Sequence, residues 1–120
     1  MRHVIPLVGV ACAGLLLGAC ATQQGRFMRM AEPFPARPET CEVEVMRSGL
    51  PTKEFVRIAR LDVHLEKTHF IRSGFEEAWP ELRRQACLSG ADAIIEMEER
   101  TSSYLETRIY HVTATGIKYR

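Results

Sequence analysis

The sequence predicts an α+β fold, a two-layer sandwich in which one amphipathic helix covers a four-stranded, mainly antiparallel sheet, in the order β-β-α-β-β. Two patterns lead to this prediction. Over residues 59–66, apolar and charged residues alternate, as in a strand with one buried face. Over residues 75–86, apolar residues recur at helical spacing. One helix among several strands gives two layers, because each element must bury its apolar face.

The first 19 residues are predicted to be a cleaved export signal rather than part of the fold. Arg2 provides a positive start, and the 16 residues from position 4 to position 19 carry no charge. A helix needs about 20 apolar residues to span a bilayer, so the pattern favours cleavage over a retained membrane anchor.

The tetrapeptide Leu17-Gly18-Ala19-Cys20 at the end of this run resembles the lipobox of bacterial lipoproteins. The resemblance implies cleavage before Cys20, a diacylglycerol on its thiol and a fatty acid, usually palmitate, on its amino group. Ala21 in place of Asp implies sorting to the outer membrane, with the domain facing the periplasm or the cell surface. An ordinary secreted protein cleaved near this position is the alternative.

Two cysteines remain once Cys12 leaves with the signal and Cys20 carries lipid. In an exported domain, Cys41 and Cys87 are therefore predicted to form a disulfide, with two buried free thiols as the alternative. Closing the loop from residue 41 to residue 87 contributes about 4 kcal/mol in the chain-entropy estimate. A domain of this size has a small core, so such a bridge matters for its stability.

Residues 20–40 are predicted to be a lipidated, proline-rich flexible tether. Pro33, Pro35 and Pro38 oppose helix and sheet and favour an extended chain. A flexible chain of this length reaches about 25 Å on average, which would let the domain float near the membrane. Four large apolar residues of the tether either dock on the domain, dock on a partner or belong to a mobile linker: Phe27, Met28, Met30 and Phe34.

The globular domain is predicted over residues 41–120 and begins with two strands. Residues 41–45 alternate between apolar and acidic side chains, which predicts the first strand. Ser48-Gly49-Leu50-Pro51 supplies turn residues, and the alternating residues 59–66 form the second strand.

The helix is predicted to begin with a capping box, in which Ser73 is the N-cap residue and Glu76 bonds back to its amide. Pro80 removes one backbone hydrogen bond, which predicts a kink or a late regular start. Gly90 is suited to end the helix in the left-handed conformation. The apolar stripe of this helix comprises Phe75, Trp79, Leu82 and Ala86.

Two further strands are predicted after the helix, over residues 91–97 and 108–117, with a loop over residues 101–107 between them. The third strand is expected to place Ala93, Ile95 and Met97 on one face. The fourth is expected to place four residues on one face: Tyr110, Val112, Ala114 and Gly116. The small residues of this face would let the helix approach the sheet closely.

A second resemblance is to a widespread group of small bacterial domains. It rests on the stretch from Leu82 through Gly90-Ala91-Asp92-Ala93 to Ile95 and on a last strand that ends in Gly116. The group includes uncharacterised lipoproteins, a cytoplasmic oligomeric family named for heavy-metal binding and, more distantly, the outer-membrane lipoprotein sensor of the Rcs envelope-stress pathway. The resemblance covers roughly residues 54–117 and implies a shared fold. Physically, the motif suits a tight helix-to-strand corner in which Asp92 bonds nearby backbone amides.

His64 and His111 are predicted to lie on the polar face of the sheet. If their strands are neighbours, the two histidines can share zinc or copper with a carboxylate such as Asp62 or Glu66, because imidazole suits both metals. Solvated or cross-strand-paired histidines are the other interpretation. Apart from this metal alternative and the covalent lipid on Cys20, no cofactor is predicted.

The sequence does not predict an enzyme. Ser102 and Ser103 fall in the predicted loop, without the strand-to-helix elbow that activates a serine nucleophile. The sequence also contains no Cys-x-x-Cys motif and no glycine-rich phosphate loop or dinucleotide fingerprint.

The expected function is instead contact with another envelope protein. Without Arg2, the chain carries 15 basic and 15 acidic residues and no basic patch, which argues against nucleic acid as a partner. Sheets often serve as binding platforms, although a charged row is more commonly a solvated face. The possible binding surface comprises Arg60, Asp62, His64, Glu66 and Tyr104.

Overall fold

The computed structural model describes residues 22–68 and 74–120. Within these ranges the chain forms six strands and one helix, so the α+β class is confirmed. The elements are β1 (Thr22–Gly25), β2 (Met28–Arg29), β3 (Glu44–Val45), β4 (Phe55–Thr68), α1 (Phe75–Ser89), β5 (Ala93–Tyr104) and β6 (Thr107–Tyr119).

The strands form one mixed sheet in the order β1-β4-β6-β5-β3, and β2 also pairs with β4. β1 pairs antiparallel with residues 63–66 of β4 and β2 with residues 59 and 60, so β1 and β2 form one interrupted edge. β3 pairs parallel with β5. The prediction of four strands in the order β-β-α-β-β is therefore wrong, because it omits β1 and β2, which are short and show no apolar alternation.

The main core lies between α1 and one face of the sheet. Leu82 and Ala86 of α1 are fully buried in it, and Phe75 and Trp79 pack against it, which confirms the predicted helical stripe. Four buried residues of β4 confirm the alternation predicted over residues 59–66: Ala59, Leu61, Val63 and Leu65. Ile58, at the register shift before them, is buried as well. β6 contributes Tyr110, Val112 and Ala114 to the same core. Burial of these apolar side chains is the main driving force that holds the two layers together.

The helix ends differ in how well the sequence predicts them. α1 begins at Phe75 with Gly74 as the N-cap residue, and no side-chain hydrogen bond caps it. Ser73, the predicted N-cap residue, lies outside the described residues. The chain is helical on both sides of Pro80, which excludes a late start. Gly90 ends the helix in the left-handed region with φ 87°, as predicted.

The corner between α1 and β5 is closed by small residues and by Asp92. A Cβ atom added to Gly116 would lie 3.2 Å from the Cβ atom of Ala91 and 3.7 Å from the Oγ atom of Ser89 at the end of α1, so the predicted close approach of helix and sheet is confirmed. Asp92 does not bond amides of its own turn. It accepts a hydrogen bond from the backbone N–H of Tyr119 at 2.9 Å and one from the ammonium group of Lys118 at 3.2 Å. Asp92 therefore ties the corner to the last strand.

A bulge in β5 changes which residues share a face. The register of β5 against β6 shifts between Ile95 and Glu98, and Glu96 adopts a φ of 55°, in the left-handed region. The predicted common face of Ala93, Ile95 and Met97 is therefore wrong. Ala93 and Ile95 lie in a small second cluster, whereas Met97 packs against the main core.

The stretch predicted as a flexible tether is largely docked on the domain. Its first part is paired with β4 as β1 and β2. Phe27 and Phe34 pack against the main core, and a Cβ atom added to Gly90 would lie 2.9 Å from that of Phe34. We call residues 26–41 the strap. Of the outcomes left open by the sequence, docking on the domain is the one observed for these two phenylalanines.

The far end of the strap is held by the disulfide and by arginines. Cys41 and Cys87 are bonded, with 5.8 Å between their Cα atoms, which confirms the predicted pair. The backbone N–H of Arg37 donates to the carbonyl oxygen of Cys87 at 2.8 Å, and the Arg83 guanidinium donates to the carbonyl oxygen of Cys41 at 2.8 Å. The strap thus enters the fold at β4 and is covalently fixed to α1.

The predicted export signal and the lipid attachment site, Cys20, lie outside the described residues. The described fold begins at Thr22, two positions after Cys20. Over residues 22–68 and 74–120, no helix combines the length and the apolar character that crossing a membrane requires.

Candidate binding surface

The face of the sheet opposite α1, here called the outer face, is covered at one end only. Near β3, Ile95 and Ile117 are buried under Met46, Phe55 and Tyr119. Farther along β4, β5 and β6, the outer face carries polar side chains. Strand alternation places every second residue of each strand on this face. Its polar part comprises Arg60, Asp62, His64, Glu66, Glu98, Arg100, Ser102, His111 and Thr113.

The two histidines singled out from the sequence are direct neighbours. His64 of β4 is paired in register with His111 of β6, and their ring centroids are 5.7 Å apart at an interplanar angle of 63°. Cross-strand partners of this kind have their side chains in contact, which is why the register decides the site. The condition that the two strands be neighbours is therefore met.

Each histidine also contacts its own carboxylate. His111 Nε2 lies 2.5 Å from an oxygen of Asp62, and His64 Nε2 lies 2.9 Å from an oxygen of Glu66. Three residues of the predicted surface, Asp62, His64 and Glu66, are thus held in these two pairs. The side chains of Asp62 and Glu66 remain 52% and 45% exposed, so this is a hydrogen-bonded surface and not a buried site.

Arg100 completes the cluster and fixes the roles of the two nitrogens of His111. Its guanidinium lies 3.5 Å from His111 Nδ1. Because arginine can only donate, Nδ1 must accept in this contact, which leaves Nε2–H to donate to Asp62. The chain Arg100, His111 and Asp62 therefore runs across three adjacent strands and presents alternating donors and acceptors.

The two histidines are engaged by carboxylates in this arrangement. Among the described residues, no group of three or more histidine, cysteine, aspartate and glutamate side chains is placed to hold a metal ion. The Nε2 atoms of both His64 and His111 face carboxylates at hydrogen-bond distance. A metal would have to displace these contacts before it could bind both rings.

The outer face has three adjoining depressions around the histidine pair. One, of about 480 Å³, is lined by Gly25, Arg26, Asp62, His64 and His111. A second, of about 420 Å³, continues from Asp62 and Arg26 toward the strap residues Phe27 and Met28. A third, of about 470 Å³, lies on the other side of the pair, against β5.

The prediction of a loop over residues 101–107 is wrong. β5 and β6 form a long antiparallel hairpin in which Tyr104 pairs with Thr107, and only Leu105 and Glu106 connect them. Residues 98–104 are all exposed, because neither layer of the domain extends to cover them. Their polar sequence gives no apolar alternation, which is why it reads as a loop.

The tip of this hairpin carries two large exposed apolar side chains. Tyr104 is 70% exposed and Leu105 is 82% exposed. Leu105 also has a φ of 54°, in the left-handed region that favours glycine. Tyr104 shares its face of β5 with Arg100 and lies about 13 Å farther along the strand, so it extends the predicted surface.

Sequence reasoning missed three residues that shape this surface: Arg26, Gln85 and Arg100. Arg26 was hidden in the predicted tether, and Arg100 stands where a loop was expected to begin. Gln85 is almost fully buried, and its amide oxygen accepts a hydrogen bond from the backbone N–H of Asp62 at 2.9 Å. The one signal in the sequence for Gln85 was its position, as a polar residue beside the apolar stripe of the helix.

Comparison with protein-family models gave no match, and neither did comparison with curated proteins. Among solved structures, the chain is similar to a Francisella virulence factor, FvfA, with 13% sequence identity and a TM-score of 0.49. The alignment covers 78% of this chain and 97% of that one. A likeness at this level does not extend to function.

Proposed function

We propose that this chain is a non-enzymatic lipoprotein of the bacterial envelope that binds a protein partner. The lipid is attached at Cys20, and the mature chain is held in the outer membrane. The partner binds at the tip of the β5–β6 hairpin and on the polar part of the outer face.

The observation that carries the proposal is the exposed and strained position of Leu105. Its side chain is 82% exposed, so it contributes little to the core, and its φ of 54° is unfavourable for any residue with a Cβ atom. Neither packing nor backbone geometry accounts for leucine at this position. Strain of this kind, kept at an exposed site, points to a role in contact with another molecule. Tyr104 beside it supplies a side chain of the type enriched in protein interfaces.

The outer face supports the same interpretation. It joins the hairpin tip without interruption, and its donors and acceptors are already positioned by the Arg100, His111 and Asp62 contacts. Interfaces combine an apolar centre with a polar surround, which Tyr104 and Leu105 beside this cluster provide.

A catalytic role has less support from the same geometry. General acid–base catalysis needs a positioned group in a site that limits access of water. The carboxylates of Asp62 and Glu66, which accompany the two histidines, are about half exposed, at 52% and 45%. The proposal therefore assigns these groups to recognition.

Site-specific photocrosslinking in the native envelope tests the proposal. A photoreactive residue at Ser102, on the outer face between Arg100 and Tyr104, should give one discrete protein adduct. The same probe at Glu76, which is exposed on α1, should give none. Equal labelling from both positions would contradict a defined contact surface.

Matched variants then identify the contact. Leu105→Gly removes the side chain while keeping the backbone conformation accessible, and it should abolish the Ser102 adduct. Charge reversal at Arg60 and Asp62 should weaken it. Leu50→Ala, which shortens another exposed apolar side chain, should leave the adduct unchanged. Persistence of the adduct in both the Leu105 and the charge-reversed variants would rule out this surface.

A metal-binding module that uses His64 and His111 is the second candidate, favoured by their register pairing. Zinc or copper would have to take both rings from their carboxylate partners. Isothermal titration of the lipid-free chain should then show stoichiometric binding tighter than micromolar, lost when both histidines become alanine. An isotherm that does not change in the double variant excludes the candidate.

A further inference from the structure

Strand β5 has a long open edge beside the hairpin tip. β3 pairs with Ala93 and Ile94 at the start of β5, whereas residues 98–104 continue in unbroken register with β6 on one side. Within residues 22–68 and 74–120, no strand pairs with the other side of residues 98–104, which we call the β5 edge. The segment contains neither proline nor lysine, and the bulge of β5 lies before it. It therefore lacks features that commonly keep open edges from pairing with a further strand.

The hairpin geometry decides which backbone groups point to the β5 edge. Two residues connect Tyr104 to Thr107, so this pair closes the hairpin with backbone hydrogen bonds. In an antiparallel ladder, hydrogen-bonded and non-hydrogen-bonded pairs alternate. The N–H and C=O groups of Glu99, Thr101 and Ser103 therefore point to the β5 edge. In the described part of the chain, no other backbone group pairs with them.

The charges of this segment favour a second copy of the same chain as the added strand. Glu98, Glu99 and Arg100 form its first half, whereas residues 102–104 are uncharged. Antiparallel pairing about Thr101 places each charged residue of one copy opposite an uncharged residue of the other. Parallel pairing in register would place each glutamate opposite its own copy, and like charges directly opposite destabilise a sheet.

The backbone groups select the same register. Pairing about Thr101 brings Glu99 opposite Ser103 of the second copy, so that the residues with unpaired groups at the edge face one another. Each such pair exchanges two hydrogen bonds, which gives about six across the contact. A shift of one residue would place these groups opposite Arg100 and Ser102, whose backbone groups already bond to β6.

The same register gives the exposed hairpin tip a position on the second copy. Leu105 of one copy comes level with Met97 of the other, beside a depression of about 280 Å³ whose lining includes Met46 and Met97. Tyr104 comes opposite Glu98. The protruding leucine and the depression lie on one chain, so a two-fold contact uses both of them twice.

We infer that two copies of this chain join through their β5 edges as an antiparallel, two-fold symmetric dimer centred on Thr101. This step rests on the contact role proposed for the hairpin tip and names the molecule that meets the tip. The two sheets become one continuous sheet. The polar part of the outer face stays open on both copies, where it remains available to another envelope protein.

The position of β1 is compatible with this dimer. Thr22 pairs with Glu66, Glu66 with Ile109 and Ile109 with Ser102, so β1 begins one residue from the level of Thr101. In the dimer, the two β1 strands therefore begin within about 7 Å of each other along the strand direction. Both proposed anchors can then enter one membrane.

Sedimentation equilibrium of the mature chain with Cys20→Ser tests the dimer without lipid. The molar mass should rise with concentration from that of one chain to that of two. Thr101→Pro should weaken the dimer on the order of tenfold or more, because two hydrogen bonds between the copies are lost while the β5–β6 ladder keeps its own. Thr101→Val keeps the N–H and should leave the dissociation constant nearly unchanged. A single-chain mass at every concentration, or equal effects of proline and valine, would overturn the inference.

Disulfide trapping tests the register and does not require the proline variant to fold. Thr101→Cys should link two copies under mild oxidation, because hydrogen-bonded residues opposite each other have Cα atoms about 5.5 Å apart, within the range of disulfides. Ser103→Cys is the matched control. Ser103 is exposed on the same face of β5, but in this register it lies about 13 Å from its own copy. Equal trapping from both positions would contradict pairing about Thr101.

The dimer and the proposed envelope function can fail separately. If the lipid-free chain is a dimer and the Ser102 probe captures no other protein in the envelope, the inference stands and the proposed partner does not. If the probe captures another protein while the chain sediments as a monomer, the proposed function stands and the inference is overturned.

Discussion

At the scale of single residues, Gln85 takes the place of a missing strand residue. β1 and β2 leave a gap opposite Asp62, and the Gln85 amide fills it by accepting from the Asp62 N–H at 2.9 Å and donating to its carbonyl oxygen at 2.7 Å. A Cβ atom on Gly25 would lie 2.4 Å from Gln85 Nε2, so only glycine leaves room for this contact.

Gln85→Met should therefore lower the free energy of unfolding by about 1–3 kcal/mol. Methionine keeps the volume but leaves the N–H and carbonyl oxygen of Asp62 without their partner. Glu76→Gln is the matched control on the same helix, because the Glu76 side chain is exposed and such surface substitutions change stability by about 0.5 kcal/mol or less. Urea denaturation measures both. Equal effects would contradict the role assigned to Gln85.

Leu105→Gly should raise the free energy of unfolding by about 1 kcal/mol or less. Glycine relieves the left-handed backbone strain at φ 54°. It also raises the conformational entropy of the unfolded chain, which offsets part of the gain. Glu106→Gly, at a position without a positive φ, should instead lower stability. If Leu105→Gly were destabilising, the leucine would serve folding, and the argument for a contact role would lose its basis.

Glu96 should titrate below the ordinary range of a glutamate. The hydrogen bond from Arg57, first of all, and the charge of that guanidinium lower the pKa of Glu96. A carboxylate whose pKa is lower in the folded state stabilises the fold above its unfolded pKa, and this stabilisation is lost as the pH falls through the folded pKa. Carbonyl NMR titration of Glu96 should show the lowered midpoint, and Arg57→Gln should move it back up. An unchanged midpoint in Arg57→Gln would contradict this cause.

At the scale of elements, the disulfide joins the strap to α1. Reduction of Cys41–Cys87 should cost about 4 kcal/mol of stability, because it frees the unfolded chain from a loop whose ends are 46 residues apart. Denaturation with and without reductant measures the loss. The double serine variant should behave like the reduced protein and should show no further response to reductant.

The elements that the sequence predicted are those with a strong apolar pattern. Residues 59–66 of β4 alternate strictly and α1 has a continuous apolar stripe, so both could be recognised. β1, β2 and the outer half of β5 show no apolar alternation and were assigned to a tether and a loop, because their pairing comes from backbone hydrogen bonds to neighbouring strands. The parallel pairing of β3 depends on the path of the whole chain, which a local pattern does not contain.

The candidate surface was predictable only in part for the same reason. Alternation in two strands placed His64 and His111 on the polar face, whereas their pairing required the two strands to be neighbours, which the sequence left open. Arg100 and the exposed tip at Tyr104 depend on the hairpin, which had no apolar signal. The bulge at Glu96 arises from an extra residue in β5, and nothing in the local composition marks it.

At the scale of the whole molecule, the docked strap bears on how the proposed lipoprotein would sit on the membrane. A flexible tether would have placed it about 25 Å away on average. β1 is paired with β4 from Thr22, and the proposed anchor at Cys20 stands only two positions before it in the sequence. Because Thr22 pairs with Glu66, the proposed anchor lies at the end of the sheet that carries the hairpin tip, so the partner contact proposed at Tyr104 and Leu105 would lie close to the membrane.

The central claim, that this chain is a lipoprotein attached through Cys20, is tested most directly by mass spectrometry of the protein from its native host. The account predicts that the first peptide begins at Cys20 and carries a diacylglycerol on the thiol, with a further fatty acid on the amino group. A peptide that retains Met1, or a Cys20 without any acyl chain, would contradict the membrane attachment on which the envelope role rests.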